Sequence, residues 1–130
     1  MITTTTAARK PLFADFELAC ASARAIAARR AELSVLCWVL MPDHFHALVE
    51  LNEGFLSQAV SGLKARTAAA VNRMRGTRAP VWARAFHDRA LRQDDDMLEL
   101  ARYIICNPLR AGLVRSVREY PFWNAVWLGR

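Results

Sequence analysis

Lysine is scarce in this chain. Only two of its eighteen cationic side chains are lysines, Lys10 and Lys64, and the other sixteen are arginines. Tyrosine is as rare, with Tyr103 and Tyr120, and the three histidines are His44, His46 and His87. Long apolar runs are missing as well. The longest, Val35 to Met41, falls far short of the roughly 18 residues a membrane-spanning helix needs, so no membrane association is expected. The start, Met1-Ile-Thr-Thr-Thr-Thr, has no basic segment followed by an apolar one, and no secretory signal is expected. Cysteine is limited to Cys20, Cys37 and Cys106, an odd number without CxxC spacing. That excludes a disulfide framework and predicts reduced, buried thiols in a cytoplasmic protein. Glycine and proline, at five each, are too few for a collagen-like or low-complexity chain. What is present is 130 residues, 54% hydrophobic and 23% charged. That is the size and composition of a single globular domain over residues 1–130, able to bury about two-thirds of its unfolded surface.

The net charge of +6 is unevenly spread. From Gln58 to Arg92 there are eight cations, Lys64, Arg66, Arg73, Arg75, Arg78, Arg84, Arg89 and Arg92, against the single acid Asp88. Arginine forks suit bidentate phosphate contacts, so this block is either a nucleic-acid footprint or a solvated helix face. Charge by itself leaves both readings open.

Periodicity outlines the elements. Thr3–Thr6 after Ile2 has the β-propensity of a short first strand. Phe16 to Arg30 reads as an alanine-rich helix. Leu33 to Met41 reads as a strand buried on both faces, and Pro42-Asp43 turns it into a second strand, His44 to Leu51. Asn52-Glu-Gly54 closes that strand. Leu56 to Arg75 keeps helical spacing and stops at Gly76. Val81 to Leu91 reads as a further strand. Asp94-Asp95-Asp96 then opens a helix to Cys106, where Pro108 disfavours helical geometry at Asn107. Tyr120, Phe122, Trp123 and Trp127 read as aromatic packing material. The order β-α-β-β-α-β-α predicts an α+β fold, a ferredoxin-like sandwich with helices on the faces of an antiparallel sheet.

Three features carry chemistry. On a strand, His44, His46 and Glu50 share one face and Phe45, Ala47, Val49 and Leu51 the other, the second being a core face. Two imidazoles about 7 Å apart on one face either share a divalent ion or simply pack. On the last helix the stripe Leu98, Ala101 and Ile105 is apolar, with Met97 and Ile104 beside it. Tyr103 lies well off that stripe and Asn107 a turn later, which leaves the Tyr103 hydroxyl for hydrogen bonding, chemistry or solvent. His87-Asp88 is a third histidine near the same site or a structural pair.

The segments Met41-Pro-Asp-His-Phe-His-Ala-Leu-Val49 and Tyr103-Ile-Ile-Cys-Asn-Pro-Leu-Arg-Ala-Gly-Leu-Val114 together resemble the REP-associated tyrosine transposases. These are single-strand transposase relatives in the HUH endonuclease superfamily. Leu63-Lys-Ala-Arg-Thr-Ala68, Val71-Asn-Arg73, Pro80-Val-Trp82, Phe86-His-Asp-Arg-Ala-Leu-Arg92 and Tyr120-Pro-Phe-Trp-Asn-Ala-Val-Trp-Leu128 fit the same family in the same order. The resemblance implies an HUH sandwich that cleaves single-stranded DNA next to palindromic hairpins, using Mg2+ or Mn2+. It assigns His44 and His46 to the metal, Asn107 to helping hold it, and Tyr103 to nucleophilic attack giving a 5′-phosphotyrosine link. The residues expected to meet DNA are Lys64, Arg66, Arg73, Arg75, Arg84, His87, Arg89 and Arg110. The expected location is cytoplasmic and nucleoid-associated, and relatives include both monomers and dimers. Two departures stand out: the chain begins almost inside the first strand, which predicts a weakened sheet edge, and it is alanine-rich around Arg66. The alternatives are a domesticated hairpin-DNA binder that no longer cuts and a small metallohydrolase. The first needs none of the four site residues, and the second needs further ligands that the sequence does not supply.

Overall fold

Strand β1 (Ile2–Thr5), β2 (Leu33–Met41) and β3 (His44–Leu51) form the centre of a five-stranded antiparallel sheet in the computed structural model, which describes residues 1–92 and 95–127. The sheet order is β4-β1-β3-β2-β5, with β4 at His87–Asp88 and β5 at Trp123–Ala125. The α+β expectation holds. The strand expected from Thr3–Thr6 is present, but it is interior, flanked by β3 on one side and β4 on the other.

Helices α1 (Phe16–Ala27) and α2 (Leu56–Arg75) cover one face, and α3 (Met97–Ile105) with the short α4 (Asn107–Arg110) lies on the other. Asp15 caps α1 by accepting from the Glu17 and Leu18 amides, and Asp96 does the same for α3 through Leu98 and Glu99. Asp95 accepts from the Arg92 amide, and Asp94 lies outside the described residues. Helix α2 ends on Gly76 at φ +64°, the left-handed closure that glycine adopts without steric cost.

Three expected elements differ. Helix α1 stops at Ala27 rather than Arg30, because the Arg30 guanidinium folds back onto the Ala25 and Ile26 carbonyls and satisfies the end of the helix from outside. Val81–Leu91 is not a continuous strand. Only the Thr6–Trp82 bridge and the two residues of β4 pair, since the Ala83, Arg84 and Ala85 carbonyls turn to the Lys64 ammonium instead. The chain also does not leave helical geometry for good at Asn107. It breaks at Cys106 and restarts as α4, with Pro108 in the first turn, where its missing N–H costs nothing.

Register determines what each sheet face carries. Ile2, Ala47 and Trp38 lie side by side, as do Thr4, Phe45 and Leu40, all towards α1 and α2. His46 sits between Thr3 and Val39, and His44 between Thr5 and Met41, towards α3. Of the expected core face of β3, Phe45 and Ala47 are buried, whereas Val49 is half-buried and Leu51 exposed. The histidine face is not wholly polar, because Leu48 is fully buried there beside Cys37. The buried stripe of α3 is Ala101 and Ile104, with Met97 and Ile105 half-buried, while Leu98 is 45% exposed. The stripe thus runs through Met97, Ala101 and Ile104, one position back from the expected Leu98 and Ile105. Of the thiols only Cys37 is buried; Cys20 and Cys106 are half-buried, and all three are free.

Candidate functional site

All three histidines of the chain face the same way. Thr3 pairs with His46 on one side and His87 on the other, and directly opposed residues of antiparallel strands point to one face. His87 is exposed at the sheet edge. The β2–β3 turn puts His44 and His46 at the start of β3, where α3 and α4 pass over the sheet.

His46 is 8% exposed. Burial, reinforced by His44, the N-terminal ammonium and Arg110, pushes its imidazole down to about 4, so it is neutral at pH 7. The Asn107 amide nitrogen lies 3.4 Å from its Nδ1, an orientation in which Nδ1 would accept. Amide orientation follows from the hydrogen bonds the group can make. With the Asn107 oxygen turned to Nδ1–H, the lone pair is left on Nε2, which is buried and has no partner among the described residues. At His44 the Nδ1 lies 2.9 Å from the Asp43 carboxylate. Burial raises the Asp43 carboxyl, but the His44 hydrogen bond and the Arg9 guanidinium outweigh it and hold the carboxyl below its ordinary range.

Tyr103 is 53% exposed on the outer side of α3, and its ring meets His46 edge-on at 6.3 Å between centroids. The restart of the helix at Asn107 turns Arg110 back over Tyr103. The Arg110 guanidinium stacks 3.9 Å from the phenol ring and donates to the Tyr103 carbonyl at 2.6 Å. Tyr120 is unlike it in every respect: it is buried, its hydroxyl donates to the Leu40 carbonyl, and burial pushes its phenol up to about 12.

The expected DNA-contacting residues are divided between the two faces. Lys64, Arg66, Arg73 and Arg75 lie on α2, across the sheet from Tyr103. Lys64 is occupied by three carbonyls and Arg66 pairs with Glu32 at 3.1 Å. Arg73 and Arg84 are exposed. Arg89 follows β4 and pairs with Asp95 at 3.2 Å, and Arg110 stands against Tyr103. Sequence reasoning missed Asp43 and Arg9. Asp43 directly precedes His44, a signal that was present; nothing in the sequence linked Arg9 to the site.

Among the described residues no three His, Cys, Asp or Glu side chains converge as a metal cage, and the donor set here is two imidazoles and an amide. The set suits a cation on chemistry: with the His46 proton on Nδ1, its Nε2 is buried without a hydrogen bond, a costly orphan unless a cation takes the lone pair. No described helix is long and apolar enough to cross a membrane.

Comparison with known proteins adds the following. The family model described as transposase IS200-like matches residues 1–105. A REP-associated tyrosine transposase of Escherichia coli (strain K12) is 31% identical over 88 residues, 65% of this chain and 50% of that protein. A Haemophilus influenzae relative whose name places it in the same group is 28% identical over 94 residues, 64% of this chain and 53% of that protein. The chain thus spans about half the length of the curated relatives it matches. A solved REP-associated tyrosine transposase bound to a REP hairpin has the same fold, with a TM-score of 0.68 at 20% identity, covering 94% of this chain and 73% of that one.

Proposed function

We propose, from the premise that this chain belongs to the IS200-like transposase family, that it is a tyrosine transposase that cuts and rejoins single-stranded DNA beside a hairpin. The observation that carries the reading is the gathering of an exposed tyrosine, two histidines and an amide on one face of the sheet, with the buried Nε2 of His46 unpartnered among the described residues. A protein that only bound DNA would need none of these. The solved relative's hairpin supports the same class of partner.

His44 and His46 would hold a divalent ion, with Asn107 helping by orienting the His46 ring from its Nδ1 side, and imidazole nitrogens suit Mn2+ better than oxygen-seeking Mg2+. Bound there, the ion supplies positive charge against a non-bridging phosphate oxygen. The chain's own groups do the rest. The Tyr103 phenol gives up its proton as its oxygen attacks phosphorus, and the bond from phosphorus to the 3′ oxygen breaks. That oxygen takes up a proton from solvent, so the 5′ phosphate remains on the tyrosine and the 3′ end leaves as a hydroxyl. The bond energy is thereby kept for rejoining. Arg110 holds the phenol ring by stacking, and the guanidinium N–H groups not bonded to the Tyr103 carbonyl would be available to the phosphate that the phenol oxygen attacks. His87, Arg84 and Arg89 are the further phosphate contacts on or near this face, and Lys64, Arg66, Arg73 and Arg75 those on α2.

Incubation of labelled hairpin DNA with Mn2+, resolved on a denaturing gel, tests the proposal. Wild-type protein should give a cut strand and a covalent protein–DNA adduct. Tyr103→Phe keeps the ring and should lose both while still binding DNA, and Tyr120→Phe should retain both. An adduct that persists in Tyr103→Phe overturns the assignment. Binding without any cut or adduct in the wild type favours the domesticated, non-cleaving reading.

A further inference from the structure

Two consecutive residues of the β1–α1 connection, Ala8 and Arg9, have φ of +55° although neither is glycine. Left-handed backbone at ordinary residues is disfavoured and persists only where the surroundings enforce it. Here the surroundings are the turn that carries the histidines. The Thr6 amide and hydroxyl both donate to the Asp43 carbonyl, at 2.9 and 3.2 Å, and the Phe13 amide donates to the Pro42 carbonyl at 3.0 Å. The Thr6 hydroxyl also reaches the Lys10 carbonyl at 2.7 Å, and the Arg9 amide donates to the Thr6 carbonyl at 3.0 Å. The connection is thus tied to the β2–β3 turn through two backbone bonds and the Thr6 hydroxyl, all of long sequence separation.

The left-handed pair aims one side chain. Arg9 places Nε and a terminal nitrogen on Asp43 Oδ2, at 3.2 and 3.0 Å. The other oxygen of the same carboxylate, Oδ1, faces His44 Nδ1 at 2.9 Å. The carboxylate is held from one side and grips the imidazole with the other.

We infer that Asp43 is a positioning residue for His44, and that Arg9, set by its left-handed backbone, holds Asp43 in place. The inference rests on the metal reading given above. A carboxylate accepts and cannot donate when ionised, so the contact places the proton of neutral His44 on Nδ1 and the lone pair on Nε2. It also fixes the ring's rotation. At His46 the Asn107 amide stands at Nδ1, and with its oxygen turned inward it would fix that ring in the same way. Both rings would then offer Nε2 to one ion before any ion arrives, and the freedom otherwise lost on binding is already lost on folding. The long reach of the Arg9 contact, 34 residues in sequence, means that the connection before α1 contributes to a site that lies wholly after β2.

The test uses the full chain without DNA. Imidazole nitrogen shifts of the metal-free protein near pH 7.5 should show His44 as the Nδ1–H tautomer, and Asp43→Ala should move it towards Nε2–H. Mn2+ affinity, measured by titration calorimetry, should fall about 10- to 100-fold in Asp43→Ala, the usual cost of losing such an outer partner. Asp43→Asn keeps an oxygen that accepts from Nδ1–H and should recover most of that loss. Arg9→Gly removes the guanidinium while suiting the left-handed backbone, so it should fold well and show a smaller loss of Mn2+ affinity. It keeps the test open even where Asp43→Ala fails to fold. The Nε2–H tautomer in the wild type, or unchanged Mn2+ affinity in folded Asp43→Ala and Arg9→Gly, overturns the inference. A wild-type protein that shows Nδ1–H at His44 yet takes up no Mn2+ supports the orienting contact and counts instead against the metal reading.

Discussion

The two faces of the sheet are built to different standards. Towards α1 and α2 the layer is closed: Ile2, Leu40, Phe45 and Ala47 meet Ile26, Val60 and Leu63, all of them buried. Thr67 is satisfied internally there, accepting from the Trp82 indole at 2.8 Å and donating to the Leu63 carbonyl, although the buried Thr4 and Ser22 hydroxyls have no partner among the described residues. Towards α3 the layer is half open. The nine residues of that helix cover Cys37, Val39 and Leu48, but leave Tyr103 in solvent and a buried nitrogen of His46 unpaired. One face supplies stability and the other leaves room for chemistry. A small sheet can do both because its strands alternate, so every residue added to one face is free of the demands of the other.

Breaking the closed face should cost most. Leu40→Ala removes a fully buried side chain and should destabilise by about 2–5 kcal/mol in denaturant unfolding. On the open side, Leu98→Ala should stay within about 0.5 kcal/mol. Comparable losses in the two variants would contradict the asymmetry.

The open face should also carry the pH sensitivity. His46 is held near 4 in the folded protein against an ordinary value of 6.5, so below 6.5 the unfolded chain takes up a proton that the folded one refuses. Stability of the metal-free protein should therefore be complete above about pH 6.5 and fall as pH drops towards 4. His46→Gln should flatten that part of a thermal-unfolding series. A series with no slope in the wild type would mean that the imidazole is not desolvated.

The smallest effects should come from the arginines of α2, which lie behind the closed face. Log affinity for single-stranded DNA should fall with log salt by about 0.7 per phosphate contacted. Replacing Arg66 and Arg73 by glutamine should lower affinity and flatten that slope while leaving cleavage at saturating DNA unchanged. Arg110→Ala should flatten the slope and slow cleavage together, because it touches Tyr103. A slope unaffected by the α2 pair would confine the DNA to the histidine face.

Much of this was legible along the chain. The alternation of His44-Phe45-His46-Ala47 placed the imidazoles opposite a core face, and the apolar run Leu33–Met41 marked the central strand, because a two-residue period and a doubly buried run are properties of local sequence. Leu51 and Leu98 were misjudged for the same reason in reverse: burial depends on which neighbour arrives, and a short helix covers only part of a face. The Val81–Leu91 strand failed because Lys64, distant in sequence, draws its carbonyls away.

Composition and motif order by themselves determined the α+β class, the lack of a long apolar run, the family resemblance and the residues proposed for the chemistry. Those follow from side-chain type and spacing, which the chain carries whether folded or not. Only the tertiary structure decided that the basic stretch is split across the sheet, that Arg110 stacks on Tyr103 and that Arg9 reaches Asp43. Each of these is a contact between segments whose separation in space is set by strand register, by a helix broken at Cys106 and by a left-handed turn at Ala8 and Arg9.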